Sequence, residues 1–153
     1  MSTKEINFYQ FDDTISKSMA PLLLKITDEK NKALILSKNP AIFKEIDDGL
    51  WQFGKYRFIA HCTIYEKDIE KISSFSRQPI VITDEENNVN HSQYLIIHER
   101  ISINFLKNFR KIFFFYDSAS YQQAISFKKD LDDILKVNSY KKIDGKWQNF
   151  EML

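Results

Sequence analysis

Short apolar runs alternate along this chain with segments whose apolar residues recur at helical spacing. The runs at residues 32–36, 80–83 and 112–116 are short enough and apolar enough to be strands buried on both faces. A segment with helical periodicity follows at residues 40–51. Strands that alternate with amphipathic helices predict an α/β domain in three layers (α/β/α), with a mainly parallel sheet between the helices.

Few residues mark the element boundaries, since the chain has only three glycines and three prolines. We expect Pro21 to open the first helix, where its missing N–H is tolerated. Asn39 is expected to cap the second helix. A further strand is expected at residues 56–59, and a last helix at residues 120–136, followed by a tail that contains Trp147.

Composition restricts the function. The 153 residues suit one domain spanning 1–153. The 22 basic and 21 acidic residues give a net charge of +1, which argues against strong direct DNA binding. Cys62 is the only cysteine, so no internal disulfide can form and a cytoplasmic location is expected. The polar N-terminus lacks the apolar stretch of a signal peptide, and no run is long enough to predict a membrane span.

Nucleotide binding is not predicted, although α/β sheets often serve it. The first predicted turn, residues 11–16, contains no glycine. Both the dinucleotide fingerprint and the P-loop require glycines there, so that the backbone can approach phosphate. We therefore expect no cofactor.

Acidic residues follow several predicted strands and offer an alternative function. Asp12, Asp13, Asp84 and Asp117 would lie at the carboxyl edge of a parallel sheet, where active sites usually form. Clustered carboxylates there could hold Mg²⁺ for a phosphoryl-transfer enzyme. The other interpretation is that these residues cap helices and form turns.

The last predicted helix carries an unusually wide apolar arc that contains a lysine. The arc consists of Tyr121, Ala124, Ile125, Phe127, Leu131, Ile134 and Leu135. Lys128 falls inside it, as a pocket for an apolar, acidic ligand would require. Alternatively, Lys128 extends its amine from the helix edge to water. Lys129 is one of several nearby lysines that add positive charge.

The order of the motifs resembles the chi subunit family of bacterial DNA polymerase III. The resembling segments are Ala20-Pro21-Leu22-Leu23, Ala33-Leu34-Ile35-Leu36, Gly49-Leu50-Trp51, Phe58-Ile59-Ala60-His61, Pro79-Ile80-Val81-Ile82, Phe127-Lys128 and Gly145-Lys146-Trp147. The chain departs from the family pattern in three places. Ala60 replaces a usual proline, Ala124 replaces a usual arginine, and Ser139-Tyr140 replaces a Tyr-Trp pair.

The resemblance implies a non-catalytic adaptor. Chi subunits bind the acidic, phenylalanine-ended tail of single-stranded DNA-binding protein, join the clamp loader through a psi subunit, and can associate with a helicase. Transferred to this sequence, Phe127 and Trp51 would wall an apolar slot for the terminal ring. Lys128 would meet the carboxylate, with Leu131 and Lys129 completing the site.

Overall fold

The chain folds around one sheet. The computed structural model describes residues 5–53, 59–65 and 75–151. Within these residues the sheet has eight strands: β1 (Glu5–Gln10), β2 (Ala33–Leu36), β3 (Cys62–Thr63), β4 (Ile80–Thr83), β5 (Tyr94–Ile97), β6 (Lys111–Tyr116), β7 (Lys136–Ile143) and β8 (Lys146–Asn149). They lie in the order β3-β4-β2-β5-β6-β1-β7-β8. Neighbours are parallel except for the antiparallel β7–β8 pair, which confirms the predicted mainly parallel sheet.

Helices cover both faces of the sheet, as predicted. Helices α1 (Ile15–Asp28) and α2 (Pro40–Gln52) pack on one face, called here the α1–α2 face. Helices α3 (Ile103–Leu106) and α4 (Tyr121–Leu131) pack on the other, called the α3–α4 face. Side chains along each strand alternate between the two faces, so each central strand supplies both apolar clusters. The three-layer α/β/α prediction is confirmed.

The start of α1 differs from the prediction. The helix begins at Ile15, and Pro21 lies inside it instead of opening it. The Thr14 side chain accepts the Lys17 N–H and caps the helix. Ile15 and Met19 are buried against the sheet before the proline is reached. An interior proline costs roughly 3 kcal/mol, so this packing outweighs the local preference. Asn39 caps α2 as predicted.

The end of the chain also differs. α4 ends at Leu131, and the residues predicted as its last turn lead into β7, which pairs with β1. The segment predicted only as a tail forms the β7–β8 hairpin, whose turn residues Asp144 and Gly145 both have positive φ, 51° and 77°. An Asp-Gly pair is the residue choice that such a tight turn favours. Three of the four residues of the strand predicted at 56–59 lie within residues 54–58, outside the described part of the chain.

The two helices of the α1–α2 face approach closely at Gly49. A Cβ there would lie 2.5 Å from the Ser16 Cβ and closer still to its Oγ. The Ser16 Oγ also donates to Glu45 Oε1 at 2.5 Å, so it is not free to swing away. Glycine at this position therefore sets the distance between α1 and α2.

Gly49→Ala is expected to destabilise the protein by about 1–3 kcal/mol through overpacking. On an open helix surface the same change would stabilise the protein by about 1 kcal/mol. The sign of the change in unfolding free energy therefore shows whether the position is tightly packed. Urea unfolding should be measured in the wild type and in a Ser16→Gly background, where the clash is removed. If Gly49→Ala is equally destabilising in both backgrounds, the contact with Ser16 is not the cause.

Candidate functional site

Lys128 projects from the buried side of α4. Its neighbours Ala124, Phe127 and Leu131 are buried, while the Lys128 side chain keeps 21% exposure. The Lys128 Nζ lies 3.2 Å from Asp132 Oδ2, one turn further along the chain. The amine therefore reaches the surface from within an apolar arc and carries a local carboxylate partner. Exposed pairs of this kind contribute roughly 0.3–0.5 kcal/mol, so an incoming anion can displace Asp132.

The predicted slot between Phe127 and Trp51 is not formed. Phe127 is 1% exposed and packs on Phe114, with ring centroids 5.7 Å apart, inside the core of the α3–α4 face. Trp51 belongs to α2, on the opposite side of the sheet. Leu131 is fully buried, and Lys129 is exposed. The helical pattern shows which face of its own helix each side chain lies on. It does not show on which face of the sheet that helix packs.

Ala124, which stands in the place of the family arginine, lies in the core. Ala124 is fully buried, so an arginine at that position would not fit without rearrangement. A guanidinium reaches the same helix from another element, because Arg100, ahead of α3, lies over the Phe127 ring at 4.9 Å. Arg100 Nη1 also pairs with Asp130 Oδ2 at 2.6 Å.

Half-buried apolar side chains lie at the start of α4, at the start of β7 and just after β8. We call this surface the α4–β7 shelf; it comprises Tyr121, Leu135, Val137 and Phe150. Lys128 lies on the same side of α4 as Tyr121, two turns further along the helix. The four apolar residues all pack against the edge of the α3–α4 core. The Phe150 N–H donates to the Ser139 carbonyl at 3.1 Å, which holds the residue after β8 against β7. Because the tail was not predicted to be a hairpin, sequence reasoning missed this surface; the Asp-Gly pair was the available signal.

A second surface is formed by exposed aromatic residues along α2. Trp51, at the end of α2, is 48% exposed, and Tyr65, whose ring contacts Phe43 near the start of α2, is 62% exposed; we call the pair the α2 aromatic patch. The Trp51 ring stacks on the buried His61 ring at 4.2 Å. Its Nε1–H donates to Asp47 Oδ1 at 3.1 Å, and the same oxygen lies 2.8 Å from His61 Nε2. These contacts fix an exposed indole in one orientation.

The four acidic residues of the alternative function are not assembled into one site. Asp84 follows β4 and Asp12 follows β1, and three strands separate β4 from β1, a distance of roughly 19 Å. Asp84 accepts a hydrogen bond from Tyr65, and Asp117 caps the turn before α4 by accepting the Ser120 N–H at 3.0 Å. Within the described ranges, no group of three or more His, Cys, Asp or Glu residues could hold a metal ion.

A cavity of about 620 Å³ opens at the carboxyl edge of the sheet. Its lining residues, among them Phe11, Ile42, Glu45, His98 and Asp117, include no lysine or arginine, so it does not suit a phosphate group. His98 Nε2 lies 2.7 Å from Ser37 Oγ and 3.2 Å from Glu99 Oε2. Burial lowers the pKa of His98, and the charge of Glu99 opposes that effect.

The lowered pKa of His98 makes stability depend on pH. The unfolded chain takes up a proton on this ring below about pH 6.5, whereas the folded protein resists it. The neutral His98 ring therefore contributes to the stability of the fold above that pH. This contribution is lost as the pH falls towards 5. Urea unfolding at pH 7, 6 and 5 should show a smaller loss of stability in His98→Gln than in the wild type. The exposed His91→Gln is the control; equal losses in all three proteins would contradict this assignment.

Together, an α/β domain with a basic apolar shelf on one side and exposed aromatic rings on the other has the features of a subunit that works by contact with partners. The family model for the DNA polymerase III chi subunit matches residues 3–126. The chain therefore belongs to the DNA polymerase III chi subunit family, whose members are accessory subunits of that polymerase. The matched range includes Trp51 but ends before Phe127, Lys128, Lys129 and Leu131.

The remaining comparisons concern curated sequences and the fold. A search of curated proteins found no match. Among solved structures, the C-terminal domain of S. cerevisiae Dbp5, solved bound to Gle1 and IP6, resembles this chain with a TM-score of 0.53 and 12% identity, over 90% of each chain. A likeness at this identity shows the α/β fold alone. Among the described residues, no helix is both long enough and apolar enough to span a membrane.

Proposed function

We propose that this accessory subunit links the clamp loader of DNA polymerase III to single-stranded DNA-binding protein in the cytoplasm, without catalysis of its own. It would hold the acidic, phenylalanine-ended C-terminal tail of that protein on the α4–β7 shelf. The observation that carries this proposal is the Lys128 amine, which reaches the surface next to the buried Phe127 and Leu131, on the side of α4 that also carries the half-buried Tyr121. A terminal phenylalanine offers the matching pair of groups, an apolar ring and a carboxylate.

The carboxylate and the ring of the terminal phenylalanine contribute unequally to the binding free energy. Exposed ion pairs contribute roughly 0.2–1 kcal/mol, so Lys128 and the nearby Lys129 chiefly orient the tail. Full burial of a phenylalanine ring contributes roughly 1.5–3 kcal/mol, and the Tyr121 and Phe150 side chains offer apolar surface for it. Phe127 and Leu131 do not contact the tail in this proposal. They hold α4 on the sheet and so position Lys128.

The clamp loader would bind elsewhere, on the α2 aromatic patch. Trp51 and Tyr65 are exposed, and tryptophan and tyrosine are favoured anchors at protein interfaces. Because α2 and α4 lie on opposite faces of the sheet, both partners can bind at once. A psi subunit, where one exists, is the proposed intermediary. Association with a helicase, which the family resemblance also implies, has no feature here that assigns it a surface.

Charge changes around Lys128 should move tail affinity in opposite directions. Lys128→Glu is expected to weaken binding of an acidic peptide ending in Pro-Phe by more than 1 kcal/mol, since it adds repulsion. Asp132→Asn should strengthen binding about twofold, because it removes the carboxylate that competes for Lys128. Calorimetry at two salt concentrations measures both effects, and salt should weaken the wild-type complex.

Lys25→Glu, an exposed change on α1, is the matched control for net charge. A peptide without its terminal phenylalanine should fail to bind the wild type. If Lys128→Glu stays folded and binds as tightly as Lys25→Glu, the tail site is not on this shelf. If the peptide binds equally well without its phenylalanine, the adaptor function itself is wrong.

Trp51→Ala should separate the two partners. The variant is expected to lose association with the purified clamp loader of the same organism while it keeps wild-type affinity for the tail peptide. Loss of a buried aromatic anchor typically costs 2 kcal/mol or more, roughly a 30-fold weakening. Size-exclusion binding and calorimetry provide the two readouts. Unchanged clamp-loader association, or a parallel loss of tail binding, would refute the assignment of separate surfaces.

A further inference from the structure

One part of the α1–α2 face lies outside the apolar core. Among the described residues, the buried cluster of this face takes residues from β2, β4, β5 and β6 but none from β7 or β8. Even-numbered residues of β7 point to this side, because Tyr140 stacks there on Tyr9 of β1. The far end of the sheet thus presents a side-chain surface that the helices α1 and α2 do not bury.

Three half-buried rings occupy this surface and form what we call the aromatic row: Tyr9, Tyr140 and Trp147. The Tyr9 and Tyr140 rings are stacked, with centroids 5.1 Å apart and planes at 16°. Trp147 lies edge-on to Tyr9 at 5.0 Å. The row crosses three adjacent strands, and Tyr9 also stacks on Phe115 towards the core at 5.3 Å. The rings are therefore braced from one side and keep solvent-accessible area on the other.

Lysines flank the row on the same side of the sheet. Lys136 and Lys142 are exposed and alternate with Asn138 and Tyr140 along β7. Lys142 Nζ lies 5.8 Å from the centre of the Trp147 ring. Residues six apart on a strand are separated by roughly 20 Å, so the two charges stand towards opposite ends of β7, one on each side of Tyr140.

Acidic groups border the row at one end. Asp12, Asp13 and Asp144 line a small crevice together with Lys17 and Lys142. Asp13 is 3.9 Å from Lys17, which offsets part of its charge. Glu5, near the other end, pairs with Lys111 at 3.0 Å. A polyanion would therefore run along β7 from Lys136 to Lys142, across the aromatic row, and turn away from the crevice.

We propose that the aromatic row binds single-stranded nucleic acid, with bases stacked on Tyr140 and Trp147 and phosphates near Lys136 and Lys142. Every base has a flat apolar face, so stacking needs neither sequence preference nor a basic excess, in keeping with the net charge of +1. An acidic peptide would need clustered cations, and here the two lysines stand far apart. This inference goes beyond the proposed function and does not depend on tail binding.

The expected affinity is modest and only weakly dependent on salt. Stacking contributes roughly 1–3 kcal/mol per base, equivalent to about a 5- to 150-fold effect for each ring removed. With two phosphate contacts on a single strand, log K should fall against log salt with a slope of roughly −1.4. A much steeper slope would indicate binding at some other, more basic surface.

Fluorescence anisotropy with a labelled oligothymidylate tests the proposal on the full chain at low salt. Trp147→Ala and Tyr140→Ala should each weaken binding at least 5-fold, and Trp147→Phe should lose less than Trp147→Ala. The unlabelled acidic tail peptide should not displace the oligonucleotide. Displacement would show a peptide site instead and would overturn the proposal, as would wild-type binding by both alanine variants.

If the alanine variants fail to fold, charge-reversal variants at exposed lysines test the proposal instead. The double variant Lys136→Glu/Lys142→Glu changes exposed side chains and is expected to weaken binding at least 10-fold. Lys25→Glu/Lys44→Glu makes the same change in net charge on α1 and α2, and should bind much as the wild type does. Equal losses in the two double variants would show that only overall charge matters and would overturn the assignment to the aromatic row.

Discussion

The pairing of β1 with β6 on one side and β7 on the other underlies the whole arrangement. β1 pairs in register with each neighbour over all six of its residues. Its alternate side chains enter opposite layers, so Phe8 is buried with Phe114 beneath α4 while Tyr9 stacks with Phe115 near α1. A one-residue slip would exchange these sets and place both in the wrong layer. The registers of β1 therefore fix the positions of both helical layers.

The first two helices pack on one face of the sheet and the last two on the other, which separates the two proposed surfaces. β2 is followed by α2 on one face, and β6 is followed by α4 on the other. Trp51 and Lys128 are consequently isolated by the full thickness of the sheet. The proposed adaptor function would benefit from this geometry, because two large partners could bind without steric conflict. The same separation means that a substitution on one surface should have little effect on the other, since distant sites are usually additive.

The sequence pattern predicted the architecture because buried parallel strands leave unmistakable apolar runs, as in β2, β4 and β6. It failed for β7, where only Ser139 is buried, and a half-polar strand gives little periodic signal. The family resemblance implied a binding slot at Phe127, and the apolar pattern could not correct this, since a wide apolar arc looks the same whether a partner or the core covers it. The buried Phe127 and Leu131 lie next to Lys128 as the arc predicted, and the pairing of Lys128 with Asp132 follows the i,i+4 spacing of a helix. The predicted arc extended too far, because Ile134 and Leu135 lie beyond the end of α4, and the shelf depends on tertiary contacts that periodicity does not encode.

The position of β7 has a consequence for synthesis on the ribosome. The second edge of β1 can pair only after residues 136–141 of β7 have been synthesised. At roughly 5–20 residues per second, the nascent chain spends several seconds with that edge open, and with the rings of Tyr9 and Phe8 only partly covered. Open strand edges are prone to pairing with other chains. Efficient production of this small protein should therefore be sensitive to truncation at the carboxyl end, and a chaperone that shields the first strand would act mainly during this interval.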